Sequence, residues 1–221
     1  TLASPLTYKD FANLPDVSQV SLSPNGKKLF SKIYINNGNV DGSAIEVSDL
    51  TTSKKKFVLF TDNSKYDIRW IRWKDDVTLL VGIVFPERRS VGQSARKYKT
   101  RETRLMIINT DNDETSMAFS QSFLKQFYVL PVIQDYVIDI LPEDKNHILI
   151  GLSTRMSMFD VNKFSVFKLN IVTHKSSLIK TDTANIASLQ TDLQHNIRVI
   201  ERIKDGVHHI EVKDMVTNKW R

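Results

Sequence analysis

The chain has 221 residues, 41% hydrophobic and 25% charged, enough for one sizeable core and ordinary for a globular protein. It holds no cysteine, which excludes disulfides and thiolate chemistry, and no apolar run approaches the roughly 20 residues of a membrane-spanning helix. The formal net charge is +6, and one stretch accounts for most of it: residues 86–104, PERRSVGQSARKYKTRETR, carry seven basic side chains against two acidic ones.

Residues 1–16, TLASPLTYKDFANLPD, read as a lead-in segment in which Thr7 caps a short helix that Pro15 ends. A hairpin pattern follows. Val20-Ser21-Leu22 runs into the turn Ser23-Pro24-Asn25-Gly26 and out again through Leu29 and Phe30. The device returns at residues 68–80, at 132–152 and, more weakly, at 186–197. Its clearest copy has apolar runs at 136–141 and 147–152, each too short for an ordinary helix, around the polar turn Pro142-Glu143-Asp144-Lys145-Asn146. Proline fixes φ there, and Asp and Asn tolerate the bend that follows. Aligning Val20, Ile71, Ile138 and Ala187 spaces the copies 51, 67 and 49 residues apart.

Between these hairpins lies a second repeated unit. Residues 45–50, 106–110, 167–171 and 210–215 each run from an apolar strand into a turn rich in Asp, Asn, Ser and Thr, and residues 56–60, 116–119 and 177–180 follow as fourth strands. Four strands per unit at this spacing describe β-propeller blades; the fixed order within each unit argues against the unrelated hairpins of a sandwich. The expected fold is therefore all-β: a partial, truncated β-propeller of about four four-stranded antiparallel blades, at about 17–60, 66–119, 136–180 and 185–221. The basic stretch 86–104 falls between the second and third strands of blade two, and 120–135 is a connector with a short helix near 122–126. The last blade stops short of a fourth strand. The pattern thus predicts a piece of a longer protein, with an open edge near residues 210–220.

No catalytic constellation is present: the chain has no G-x-S-x-G, no Walker loop, no G-x-G-x-x-G and no H-E-x-x-H. His208 and His209 are adjacent on a strand and point to opposite faces, so they cannot chelate one metal. The paired carboxylates (Asp75-Asp76, Glu143-Asp144, and Asp111, Asp113 and Glu114) sit in turns, where they serve turn chemistry. No catalytic residue, metal ligand or cofactor is expected. Trp70 and Arg72 share one strand face and Ile71 and Trp73 the other, which suits packing between blades or, alternatively, a stacking platform for nucleic acid. The candidate binding residues are Arg88, Arg89, Arg96, Lys97 and Arg101 of the basic loop. Guanidinium groups bind carboxylates bidentately, which points to an acidic surface or a peptide carboxylate; the plain alternative is a solvated insertion. Nucleic acid would require further basic stripes, so neither it nor a membrane is an expected partner. Exposed ion pairs contribute only about 0–1 kcal/mol, so the loop is expected to be mobile without its partner.

The opening LTYKDFANLPDVSQVSLSPNGKKLF resembles the start of the propeller domain of prolyl-oligopeptidase-like serine peptidases, the dipeptidyl-aminopeptidase and acylaminoacyl-peptidase relatives. S-P-N-G-K-K-L is similar to that family's repeated S-P-D-G-K-x-L, which TolB-like propellers share. Gln134-Asp135 and Leu141-Pro142-Glu143-Asp144 add a likeness to one bacterial subgroup. The resemblance implies a propeller of about seven or eight blades that covers an α/β-hydrolase domain and limits access to peptides. The Ser-Asp-His triad belongs to the hydrolase, so this chain is expected to be a non-catalytic gating domain whose partners are that hydrolase domain and a peptide substrate. The family's amine-binding glutamates and carbonyl-binding arginine find no matching motif here. The alternative is a stand-alone TolB-like propeller that binds a protein. The missing initiator Met favours a bacterial extracytoplasmic parent.

Overall fold

Residues 16–36, 41–90, 97–183 and 185–221 are described by the computed structural model. The lead-in helix, loop residues 37–40 and Arg96 fall outside them.

Val17–Leu22 (β1), Lys28–Asn36 (β2), Asp41–Asp49 (β3) and Lys55–Thr61 (β4) form the first antiparallel sheet, in chain order. Asp67–Trp73 (β5), Thr78–Ser90 (β6), Lys97–Asn109 (β7) and Thr115–Met117 (β8) form the second, and Ile133–Gln134 (β9) adds to β7 in parallel. Tyr136–Asp139 (β10), His147–Thr154 (β11), Lys163–Asn170 (β12) and Ser176–Thr183 (β13) make the third. Ile186–Thr191 (β14), Ile197–Lys204 (β15) and Val207–Val212 (β16) make the fourth, after which Lys213 bridges back to Trp220. First strands of neighbouring sheets meet, β1 beside β5 and β10 beside β14. The fold is an all-β partial propeller of antiparallel blades.

The turn after each third strand is one device used four times. The side chains of Asp49, Asn109, Asn170 and Asp214 each accept backbone N–H groups two and three residues ahead. Four residues on, Ser53, Asp113, His174 and Asn218 adopt left-handed φ of 57° to 60°. A short polar side chain that mimics a backbone turn is what Asp and Asn supply at such corners.

The blades stack through apolar faces. Phe30, Ile45 and Val47 of blade one meet Ile71, Trp73, Leu79 and Val81 of blade two. On its other face blade two sets Leu80, Leu105 and Ile107 against Ile148, Ile150, Leu152 and Phe167 of blade three. The helical turn Gln121–Leu124 (α1), capped by the Ser120 hydroxyl, wedges Phe123 into that seam. Phe123 stacks on Phe119 at 5.1 Å and meets Phe127 and Phe167 edge-on at 5.3 Å. The seam between blades three and four is smaller, built on Val166, Leu189 and Ile200. Polar bonds reinforce it: Arg202 to Asp182 at 3.0 Å, His195 to Asp139 at 2.8 Å, and the Leu189 N–H to the Tyr136 hydroxyl at 2.9 Å.

These packings correct the alignment of the repeats. Ile71 faces the preceding blade, and so does Val137, whereas Ile138 faces the following one. The true equivalents are Val20, Ile71, Val137 and Leu189, at spacings of 51, 66 and 52 residues. A slip of one residue reverses a strand's faces. Every first strand also carries a register shift, at Val17/Gln19, Ile68/Trp70, Val137/Asp139 and Ile186/Ser188. Such bulges break the period-two pattern on which alignment by sequence depends.

Candidate binding face of the second blade

β6 and β7 form a hairpin of 13 residues per strand, paired from Thr78↔Asn109 to Ser90↔Lys97. The expected mobile loop over 86–104 is therefore strand at 86–90 and 97–104, and only 91–96 lie outside the described residues. The alternation Lys97-Tyr98-Lys99-Thr100-Arg101 is the pleat that sustains the ladder.

Residues directly opposite in an antiparallel pair share a face. The pairs Arg88↔Lys99, Pro86↔Arg101 and Ser90↔Lys97 therefore place Arg88, Lys97, Lys99 and Arg101 together, and all four are exposed. This is the upward continuation of the face that carries Leu80, Leu105 and Ile107 against blade three. Arg101 approaches Asp67 at 3.8 Å with its side chain 76% exposed, a contact worth little in water. No ion pair engages Arg88, Lys97 or Lys99 among the described residues.

Arg89 belongs to the opposite face and is already committed. Its guanidinium forks onto the Glu102 carboxylate, Nη2 to Oε2 at 2.7 Å, and Nη1 donates to the Leu130 carbonyl at 2.6 Å. Arg104 adds a second guanidinium 3.6 Å from Glu102 and lies over the Phe85 ring at 4.8 Å. Glu102 is 0% exposed. Burial works against its charge, but the hydrogen bond from Arg89 and the field of both arginines prevail and hold its pKa below the usual carboxylate range. Of the five residues expected to bind a partner, Arg88, Lys97 and Arg101 are brought together, Arg89 is diverted into structure, and Arg96 lies outside the described residues.

At the foot of the cationic face sits a buried carboxylate, Asp135. It accepts from Trp70 Nε1 at 2.9 Å, from Arg69 Nη1 at 3.2 Å and from the Thr103 hydroxyl. Trp70 lies across the backbone of Gly82, directly opposite it on β6, and any Cβ at Gly82 would fall inside the indole. Blade three repeats the device: Tyr136 covers Gly151, and its hydroxyl reaches blade four. The aromatics at the start of each hairpin are thus latches to the next blade. Lys74 is another latch. It is 2% exposed, and its ammonium donates to the carbonyls of Leu141 at 3.0 Å and Asp144 at 2.9 Å. Burial pushes its pKa down.

The loop between β11 and β12, residues 155–162, rises close to the same region and exposes Met156, Met158, Phe159 and Val161. Arg155 anchors it, with its carbonyl accepting from the Tyr128 N–H at 2.7 Å and its guanidinium 5.5 Å from the Tyr128 ring. Sequence reading missed the roles of Glu102, Asp135 and Arg69. The first depends on hairpin register, and the last is displaced onto the cationic face by the bulge between Ile68 and Trp70.

The class defined by fold and face is an all-β propeller module with a cationic overhang on its second blade. No protein-family model matches the chain, and no curated protein matches it. Among solved structures it is similar to an acylaminoacyl peptidase from Pyrococcus horikoshii, with TM-score 0.48 and 18% identity over 91% of this chain and 31% of that one. It is also similar to the β-propeller domain of the Trilobed protease from Pyrococcus furiosus, with TM-score 0.39 and 16% identity over 94% and 69%. An oligogalacturonate lyase in complex with manganese gives TM-score 0.47 and 10% identity over 95% and 54%. The chain spans about half or less of the length of the first solved structures it resembles.

Proposed function

We propose that this chain is the non-catalytic propeller of a prolyl-oligopeptidase-like serine peptidase, gating access of peptides to an α/β-hydrolase domain. The sequence likeness of the opening segment and of residues 132–152 supports the family. The observation that supports the role is the β6–β7 overhang, which lifts Arg88, Lys97, Lys99 and Arg101 into solvent on one face with Asp67 as the sole acidic partner among the described residues. A rigid ladder that holds unpaired cations costs stability through their mutual repulsion, and an acidic surface or peptide carboxylate relieves it. The exposed Met156, Met158 and Phe159 nearby offer soft apolar contacts to the same partner.

The test is labelling with a serine-reactive fluorophosphonate. This chain alone stays unlabelled, because it contains no activated nucleophile, whereas the gene product that carries it is labelled in a hydrolase region downstream. Labelling of the isolated chain, or a gene product without a G-x-S-x-G hydrolase, overturns the reading.

A further inference from the structure

Between the first strands of blades two and three lies a cleft of about 420 Å³, with Arg69, Trp70 and Arg72 on one wall and Ile133, Tyr136 and Val137 on the other. Its charge does not balance. The buried Asp135 carboxylate is shared by Arg69, Trp70 and Thr103, which satisfies it. Arg69 keeps one edge of its guanidinium for solvent, its side chain being 55% exposed. Arg72 is exposed, and its one contact among the described residues is the Trp70 ring, 5.9 Å from its guanidinium carbon. Two guanidiniums therefore face a single carboxylate that is itself turned inward.

The geometry is prearranged. Gly82 lets Trp70 lie flat on the sheet, Asp135 fixes the indole from below, and the indole carries Arg72 on its face. A guanidinium held against an aromatic ring keeps its five N–H donors in the ring-parallel plane and loses little freedom when it meets a planar anion. The opposite wall is mostly apolar: Ile133 is exposed, and the Tyr136 hydroxyl is already taken by Leu189. An ion with many charges would find no further cations on that wall. A single carboxylate beside an apolar group fits both sides.

We propose that this cleft is a carboxylate site, in which Arg72, with Arg69 at the rim, takes the C-terminal carboxylate of a peptide whose last side chain rests on Ile133, Tyr136 and Val137. The inference does not rest on the peptidase reading, since it concerns this chain alone and neither the overhang nor a hydrolase enters it.

The experiment is isothermal titration of the chain with N-acetyl-phenylalanine, with its amide, and with N-acetyl-glutamate α-amide, which carries its carboxylate on a side chain. The free acid binds with a Kd of about 1 mM or tighter, and the amide and the glutamate derivative bind at least about tenfold more weakly. In heteronuclear spectra the acid shifts one indole N–H signal of three, that of Trp70. The R72Q variant, at an exposed position, retains the wild-type unfolding midpoint and loses about tenfold in affinity for the acid; R69Q loses less. Equal binding of acid and amide, no binding of the acid, or an R72Q variant that binds like wild type overturns the site. Equal or tighter binding of the glutamate derivative overturns the assignment to a C-terminal carboxylate.

Discussion

The two halves of the β6–β7 hairpin share one ladder, one pleat and one register, yet they do opposite work. Below Val84↔Thr103, both faces are apolar and buried, Leu79, Val81 and Ile108 toward blade one and Leu80, Leu105 and Ile107 toward blade three. Above it, one face closes on the buried Arg89–Glu102–Arg104 cluster and the other presents only exposed cations. Backbone pairing carries the strand through both halves, and side-chain burial decides where stability resides. Stability and recognition are therefore separable along a single element, and Glu102 marks the boundary.

The largest effect is expected at that boundary. Glu102→Ala leaves Arg89 and Arg104 without their buried counter-charge, and breaking such a pair from one side costs about 3–5 kcal/mol. Urea unfolding should show this as a lower midpoint with an unchanged slope; a loss below about 1 kcal/mol would place Glu102 outside the structural half. Gly82→Ala forces Trp70 off the sheet and away from Asp135, costing up to about 3 kcal/mol by overpacking. Gly151→Ala should cost a similar amount through Tyr136 and Phe164, and a neutral result at both positions would contradict the latch.

The seam between blades three and four should respond to acid. Burial opposes ionisation of Asp182, but hydrogen bonds from Arg202, the Thr183 N–H and Lys180 outweigh it and hold the carboxyl at about 2. A carboxylate with a depressed folded-state pKa adds stability that is present above its unfolded value and lost as pH falls. On the order of 2 kcal/mol should therefore disappear between about pH 4 and pH 2, and Asp182→Asn should flatten that part of the pH profile. An unchanged acid limb in the variant would show that Asp182 does not carry the seam. The smallest effect on folding is expected from reversing Arg88, Lys97, Lys99 and Arg101 to Glu, within about 0.5 kcal/mol of wild type, because no buried partner depends on them.

Much of this architecture was legible in the residues. The Asp and Asn that open each third-strand turn, and the alternating apolar positions before them, point to the same four sheets that the structure shows. What was not legible follows from bulges and register. Ile138 and Ala187 align by eye with Ile71, but the irregularity in each first strand moves the true partners to Val137 and Leu189. At the binding face, composition revealed the concentration of charge but not its division. Arg88 and Arg89 are neighbours in sequence and face opposite ways, which becomes visible only once Arg89 is seen across from Tyr98 and beside Glu102. The alternation of Lys97, Lys99 and Arg101 with Tyr98 and Thr100 was the signal that this stretch is a strand, and its basic composition masked it.

The account's central claim is that the upper half of the hairpin is kept for a partner, and steady-state kinetics of the full-length peptidase carrying R88E, K97E and R101E test it most directly. The account predicts a KM for peptide substrates raised several-fold, or loss of hydrolase docking, with the unfolding midpoint retained. Unchanged kinetics together with unchanged stability would contradict it and leave the overhang a solvated insertion.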